Sequence, residues 1–362
     1  MSTSHSHSGP WGLPLWTWGA PIAGVALAIA KLAHFELPWF IVAPVLIAAV
    51  LSAVHHAEVI AHRIGEPYGT LVLAIAVTTI EVGLIISLML ADGPESSALA
   101  RDTVFAAVMI ILNGIVGLAL LIAGVRHHEP GFNLSGTNAA LTVLSALTVL
   151  TMILPNVTET TPGPFYSDMQ LGFVAVVSVV LYLSFVFTQT IRHRDYFLYS
   201  GGDVETVAPT ETRTALAALG LLLAALVGVV MSGKALAPTI TAAVDAAGAP
   251  DALVGVIIAA IVLMPEGLAA VRAARANRLQ DSLNLALGSA MASIGLTIPA
   301  VAVVSLAKGF PLTLGLGPLD TELLLLSLFL AVLSLRTGRT TALNGVVHLT
   351  IFAVYLFTVI NP

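Results

Sequence analysis

Apolar runs about as long as a bilayer is thick alternate with short polar loops along the whole chain. A helix needs about 20 mostly apolar residues to cross the hydrocarbon core. Each run begins and ends at charged residues, Pro or Gly, and the pattern predicts eleven membrane-spanning helices. The predicted spans are residues 16–34, 38–62, 68–91, 101–124, 137–155, 168–190, 212–233, 250–274, 282–308, 320–336 and 341–360. We therefore expect an all-α polytopic membrane protein.

The composition excludes several other classes of protein. Of the 362 residues, 57% are hydrophobic and 9% are charged, whereas a soluble globular protein has about 25% charged residues. The chain contains no cysteine, so disulfides, thiolate zinc sites and cysteine nucleophiles are absent. The formal net charge of -6 includes no basic tract, so we expect no nucleic-acid partner. We expect residues 1–15 to be a polar tail and not a signal peptide, because they lack a positively charged stretch followed by an apolar core.

Lysine and arginine are distributed unevenly over the predicted loops. Of the 14 such residues, ten lie in loops that follow even-numbered spans and four lie on the other side. Because cytoplasmic loops carry the excess of positive charge, we predict a cytoplasmic amino terminus and an external carboxyl terminus. The longest loop, residues 191–211, is then a cytoplasmic linker.

Two segments of the chain resemble each other. RDTVFAAVMIILNGIVGL at 101–118 and QDSLNLALGSAMASIGL at 280–296 each open a span, and Asp102 aligns with Asp281. One interpretation is an internal repeat. The alternative is that two generic helix starts resemble each other by chance.

The repeat interpretation makes a prediction about topology. If span 16–34 is an extra helix, five spans lie in residues 38–190 and five in residues 212–360. An odd number of spans per half forces the halves into opposite orientations. This is the inverted-topology repeat of secondary transporters, whose site lies near the bilayer midplane between the repeats.

One acid lies deep in the span that precedes the first of these segments. Glu81 is near the centre of its span, roughly 3 Å from the bilayer midplane at about 1.5 Å per residue. An ionised side chain at that depth costs about 2.5–3.5 kcal/mol and is by default a functional residue. The hydroxyls of Thr78 and Thr79 on the same helix are candidates to bind a cation or the carboxylate.

A second acid, Glu266, precedes the other segment and lies about 7 Å from the centre of its span by the same rise per residue. Pro265 removes an intrahelical hydrogen bond and frees a carbonyl one turn back. Irregular backbone occurs at membrane depth where it lines a cavity, and carbonyl oxygens suit Ca²⁺ or an alkali cation. The alternative for each acid is a pair with a basic residue that fastens two helices, although neither span has Lys or Arg in its interior.

Three further polar residues, Asn113, Ser289 and Ser293, lie at comparable depth in the spans that follow the two acids. Cation binding is one interpretation. Packing between helices is the other, because Ser and Asn often join membrane helices.

These motifs resemble those of a known family. Glu81 in GEPYGTLVLAIAVTTIEV, Asn113 in RDTVFAAVMIILNGIVGLALLIAG, GFN at 131–133, Glu266 in MPEG and LNLALGSAMASIGLTIP at 283–299 occur in the family's order. The family is that of the calcium/proton antiporters in the calcium/cation antiporter superfamily. The resemblance is strongest to the bacterial ChaA-type ionic transporters.

The resemblance implies eleven helices in a bacterial inner membrane, two inverted five-helix repeats, and one glutamate per repeat that binds the cation and is protonated in exchange. Glu81 and Glu266 would have these roles. The chain differs from better-studied members at Val77-Thr78 and Val262-Leu263, where a Gly-Asn pair is typical, and at Gly267, where many have His. Fewer side-chain oxygens around the site predict reduced calcium selectivity.

His55, Glu58 and His62 share one face at the polar end of the second span, because their spacing is i, i+3 and i+7. One alternative is the metal site of an intramembrane hydrolase, although the chain has no HExxH motif. The other is a solvated helix end, where Glu58 and Glu66 form a vestibule that draws cations inward.

We predict a secondary active transporter, and not an enzyme, that exchanges cytoplasmic Ca²⁺ for external H⁺ at a two-glutamate site. An antiporter of Na⁺ or K⁺ against H⁺ is the alternative, followed by a cation channel. A channel needs a continuous pore with serial sites, whereas two acids in inverted repeats suit alternating access. We expect no cofactor besides the transported cations and protons, and membrane lipid as the surrounding partner; a homo-oligomer is compatible with the sequence.

Overall fold

The structure, a computed structural model, describes most of the chain. The described ranges are residues 10–35, 37–65, 68–93, 97–198 and 211–362. Within them the chain is helical, and the β-type contacts are two isolated bridges. The helices are α1 (Leu15–Leu32), α2 (Trp39–Ile64), α3 (Tyr68–Asp92), α4 (Leu99–His127), α5 (Leu134–Asn156), α6 (Asp168–Arg192), α7 (Thr212–Ala246), α8 (Ala252–Arg275), α9 (Leu279–Lys308), α10 (Pro318–Leu335) and α11 (Ala342–Ile360).

Each predicted span coincides with one of these helices. Among the described residues, ten helices are long and apolar enough to cross a membrane, and α3 contains a shorter apolar stretch, Ala74–Leu90. The predicted all-α polytopic membrane fold is therefore confirmed. The inverted relation between residues 38–190 and 212–360 stays a prediction.

The largest difference between prediction and structure is the end of α7. The sequence predicts an end at residue 233, before Lys234, but the helix continues through Pro238 to Ala246. A proline is tolerated in a membrane helix when neighbouring groups satisfy the freed backbone. The chain turns away after α7 at Gly248, whose φ of 66° is left-handed and suits glycine.

One compact unit of the chain consists of Leu88–Asp203 with Val244–Pro362. Its central helix is α4, against which α8, α9, α10 and α11 pack. We call the contact between α4 and α11 the α4–α11 seam; in it Gly117 faces His348, and Gly124 faces Ala342. A Cβ on Gly117 would lie 2.9 Å from the Cβ of His348, and one on Gly124 would overlap the Ala342 backbone. Small residues let these two helices approach closely.

The other compact unit consists of Met1–Ser87 with Val204–Ala243. Its described helices are α1, α2, most of α3 and most of α7. In this unit α1 meets α7 where two glycines face each other, since a Cβ on Gly24 would lie 2.8 Å from the Cα of Gly228.

Hydrogen bonds from α2 hold α1 at the point where a proline interrupts its ladder. Pro21 has no N–H to bond the Thr17 carbonyl. His56 Nε2 and Ser52 Oγ both donate to that carbonyl, at 2.8 Å and 3.0 Å. All three residues are fully buried, so α2 satisfies a backbone group that hydrocarbon could not.

Among the described residues, four helices contain a π-helical turn, which apolar periodicity did not predict. The turns are Ile110–Ile115 in α4, Val149–Ile153 in α5, Thr188–Arg192 in α6 and Ser293–Thr297 in α9. Such turns are rare and frequently occur at functional sites. α4 and α9 are also the helices that contain the two similar sequence segments.

A loop tyrosine completes the π turn of α5. Tyr166 Oη donates to the Leu150 carbonyl at 2.6 Å. Burial raises the pKa of Tyr166 to about 12, so its hydroxyl keeps its proton and remains a donor at physiological pH.

The α4–α11 seam should not tolerate even one added methyl group. We expect Gly124→Ala to destabilise the protein by about 1–3 kcal/mol through overpacking, seen as a lower midpoint of thermal unfolding in detergent. Gly220→Ala is the matched control, because a Cβ on Gly220 meets nothing within 4 Å. Equal midpoints for the two variants would contradict the close packing described for the seam.

Candidate functional site

Glu266 lies in α8, within the unit that has α4 at its centre. Only 6% of its surface is exposed. The next residue, Gly267, faces the end of the π turn in α4, since its Cβ would lie 3.4 Å from the Ile115 side chain. A buried carboxylate therefore lies one residue from the contact between α8 and the irregular part of α4.

The backbone of α8 stays helical through Pro265. The structure thus has no broken backbone at this proline, because the helices packed around α8 keep it regular. Pro265 nevertheless has no backbone N–H, so the carbonyl one turn back lacks its usual donor. On the helices that pack against α8, the backbone is irregular at the π turns Ile110–Ile115 and Ser293–Thr297 instead.

Glu81 lies in α3, within the other unit, and is 4% exposed. Thr78, one turn earlier, is also buried, and its hydroxyl donates to the Ala74 carbonyl at 2.8 Å. Thr79 is exposed, and its hydroxyl donates to the Ile75 carbonyl at 2.7 Å. Because residues two apart point about 200° from each other on a helix, the structure brings Thr78 but not Thr79 to the face of Glu81.

Asn113 lies in the π turn of α4 and is completely buried. Its Nδ2 donates to Ser327 Oγ of α10 at 2.8 Å, and its Oδ1 lies 3.2 Å from Nδ1 of His348 in α11. Both polar atoms of the predicted ligand are thus held by neighbouring helices. The amide oxygen still has a second lone pair.

Sequence reasoning did not identify His348, although the signal was present. It is an ionisable residue near the middle of the last predicted span, the same feature that identified Glu81. The residue is fully buried, and its partners on other helices could not be inferred from its own span.

The two predicted serines of α9 differ in burial. Ser293 is 1% exposed and begins the π turn Ser293–Thr297, whereas Ser289 is half-buried. Since α9 packs on both α8 and α4, these serines and Asn113 lie on helices that adjoin the helix of Glu266.

The predicted vestibule is described only in part. Glu58 is exposed near the end of α2 and His62 is exposed with it, whereas His55 is half-buried and lies against Trp16. Glu66 lies outside the described residues. In the described part of the chain, no three His, Asp or Glu side chains are grouped to hold a metal ion.

The acids that open α4 and α9 each have an arginine nearby. Asp102 pairs with Arg101 at 2.7 Å, and Asp281 lies 3.5 Å from Arg278. The two helices thus share an acidic first turn, an ion pair and a π turn, in addition to their similar sequences.

Comparison with known proteins identifies relatives over nearly the whole chain. Residues 36–191 and 217–361 match the family profile described as sodium/calcium exchanger protein. An ionic transporter of Sinorhizobium fredii is 48% identical over 95% of each chain. The sodium-potassium/proton antiporter ChaA of Escherichia coli is 35% identical over 87% of this chain and 86% of its own.

Two solved structures have a similar fold. Native YfkE has a TM-score of 0.71 at 18% identity, covering 96% of this chain and 100% of its own. The H⁺/Ca²⁺ exchanger CAX has a TM-score of 0.70 at 17% identity, covering 95% of this chain and 88% of its own.

The different positions of Thr78 and Thr79 give a matched pair of variants. If cations bind beside Glu81, Thr78→Val should raise the half-saturating cation concentration several-fold. Valine has nearly the same shape as threonine but lacks the buried hydroxyl oxygen. Thr79→Val should leave that concentration unchanged, because Thr79 is exposed on another face. Measurement of cation-dependent proton flux in vesicles tests both; a larger effect of Thr79→Val would contradict the assignment.

Proposed function

The chain belongs to the sodium/calcium exchanger protein family, and we propose that it exchanges cytoplasmic Ca²⁺ for external H⁺ as a secondary active transporter. The observation that carries the proposal is the pair of acids, Glu81 and Glu266, each almost completely buried in a helix of a multi-pass membrane protein. The bacterial transporters among its relatives support a location in the inner membrane.

Charge balance favours a divalent cation. Two ionised carboxylates carry a formal charge of -2, which one Ca²⁺ neutralises and which one Na⁺ or K⁺ neutralises by half. Calcium takes about six to eight oxygens at roughly 2.3–2.6 Å. Glu81 and Glu266 supply up to four, and we propose that Thr78, Ser289, Ser293, Asn113, the carbonyl freed by Pro265 and water supply the rest.

The cost of a buried charge couples the two ions. A carboxylate in hydrocarbon is stable when a proton or a cation compensates its charge. A cation that binds must displace the protons, and protons that bind must displace the cation. A carrier with both acids bare is the state of highest free energy, so it rarely changes access, and the two fluxes are obliged to run in opposite directions.

A second candidate, exchange of Na⁺ or K⁺ for H⁺, has a specific observation in its favour. The relative that is 35% identical over 87% of this chain is named a sodium-potassium/proton antiporter. The sequence also lacks the Gly-Asn pairs before Glu81 and Glu266, which reduces the number of hard oxygen ligands. We propose that monovalent cations compete with Ca²⁺ for the same carboxylates.

The distribution of charged loops supports the orientation that we propose for the chain in the membrane. The excess of Lys and Arg on one side supports a cytoplasmic amino terminus. In this orientation the exposed Glu58, at the end of α2, lies on the cytoplasmic side. We propose that it attracts cations toward the site without binding them in the transported state.

Neutralising either buried acid should abolish coupled exchange. Glu81→Gln and Glu266→Gln keep the side-chain volume but remove the titrating group, so we expect loss of proton flux driven by Ca²⁺, Na⁺ or K⁺ in vesicles. Glu58→Gln is the matched control on an exposed acid and should only weaken apparent cation affinity. Exchange near the wild-type rate in either buried-acid variant would refute the assignment of that residue.

Competition between cations tests the identity of the substrate. We expect Ca²⁺ to drive proton flux and to inhibit Na⁺ or K⁺ exchange competitively, because one pair of carboxylates serves all three. Acidifying the cytoplasmic side should weaken exchange, because protons then compete with the cation for those carboxylates. Robust monovalent exchange that millimolar Ca²⁺ leaves unaffected would replace the calcium proposal with the second candidate.

A further inference from the structure

Four buried side chains form a polar network across α4, α10 and α11. Asn113 of α4 contacts Ser327 of α10 and His348 of α11, and the His348 ring contacts Ser334 of α10. Three of the four are completely buried, and Ser334 is 8% exposed. All four belong to the same compact unit.

The hydrogen bonds of this network have only one consistent direction. Ser327 Oγ donates to the Leu323 carbonyl at 2.7 Å, and a carbonyl cannot donate in return. Ser327 must therefore accept from Asn113 Nδ2, which leaves the oxygen of Asn113 facing Nδ1 of His348 at 3.2 Å. An oxygen acceptor there requires the proton on Nδ1, so the other ring nitrogen, Nε2, accepts from Ser334 Oγ at 3.2 Å.

Packing leaves the His348 ring little freedom to adopt another arrangement. Gly117 of α4 lies directly against its Cβ in the α4–α11 seam. The ring also lies beside the Leu112 carbonyl, which belongs to the π turn Ile110–Ile115. The histidine is therefore fixed at the irregular part of α4.

The π turn is in turn adjacent to Glu266. Its last residue, Ile115, is the residue that Gly267 of α8 faces. The hydrogen bonds of a π turn join residues five apart, one more than in an α-helix, and such a turn persists only when its surroundings stabilise it. Relaxation of this turn to α-helix would rotate part of α4 relative to the contact with α8.

We propose that His348 is a positioning residue for transport. Its Nδ1–H fixes the orientation of the Asn113 amide, and the network keeps the π turn of α4 in the form against which the Glu266 segment packs. The amide torsion of an Asn has broad, nearly two-fold freedom, so loss of the Nδ1 donor lets oxygen and nitrogen exchange places. This inference rests on the proposed function, because it assigns His348 to the same cation site.

Three substitutions of His348 distinguish the effect of losing the Nδ1–H donor from the effect of losing the volume of the ring. His348→Asn puts an amide N–H close to the position of Nδ1, whereas His348→Gln puts it near Nε2, and His348→Leu supplies no donor. One neutral hydrogen bond is worth about 1 kcal/mol, so we expect His348→Leu and His348→Gln to raise the half-saturating cation concentration roughly five- to tenfold. His348→Asn should stay within about twofold of wild type, and maximal rates should change little.

Tyr355→Phe is the matched control, since Tyr355 is a buried polar residue on the same helix that packs against Phe105 and Phe352. It should leave the half-saturating concentration unchanged. Equal values for wild type and His348→Leu, or a His348→Asn variant no better than His348→Leu, would overturn the inference. Wild-type protein that exchanges no cation contradicts the proposed function, whereas an active wild type with an unaffected His348→Leu variant contradicts this inference alone.

A spectroscopic measurement tests the network without transport. In protein with ¹⁵N-labelled histidine in lipid vesicles, the His348 signals are identified by their loss in His348→Asn. We expect a neutral ring with the proton on Nδ1. A proton on Nε2 would reverse the direction of the hydrogen bonds and overturn the inference, even if the protein is an active exchanger.

Discussion

Hydrocarbon offers no hydrogen-bond partner to a polar group, and the irregular parts of this structure follow from that constraint. Where Pro21 leaves the Thr17 carbonyl without its donor, side chains of α2 supply two. Where α5 contains a π turn, Tyr166 bonds the carbonyl of Leu150. Where α4 contains one, side chains of α10 and α11 bond Asn113. At each of these three places, another element supplies hydrogen-bond partners.

The same constraint makes the buried acids suitable for ion exchange. A carboxylate at the depth of Glu81 or Glu266 requires compensation of its charge, and both a proton and a cation can provide it. A proton and a cation that compensate the same carboxylate charge exclude each other. The proposed proton-coupled exchange is consistent with the membership of the chain in a family of exchangers.

Close helix packing connects the hydrogen-bond network to the candidate site. The glycines of the α4–α11 seam bring His348 to the π turn of α4, and Gly267 brings the segment of Glu266 to the other side of that turn. A larger residue at the seam glycines would separate α4 from α11 and stretch the hydrogen bonds that depend on their contact. The shape of α4 is thus set by its neighbours on both sides.

The sequence alone determined the all-helical membrane fold and the burial of two acids within its helices, because apolar length and the cost of a buried charge can be evaluated within one span. It did not determine the end of α7, the π turns, the exposure of Thr79 or the partners of Asn113 and His348. These depend on which helices lie side by side. A polar residue within an apolar span indicates, from sequence alone, that a hydrogen-bond partner is needed. Only the tertiary structure decides which helix supplies that partner.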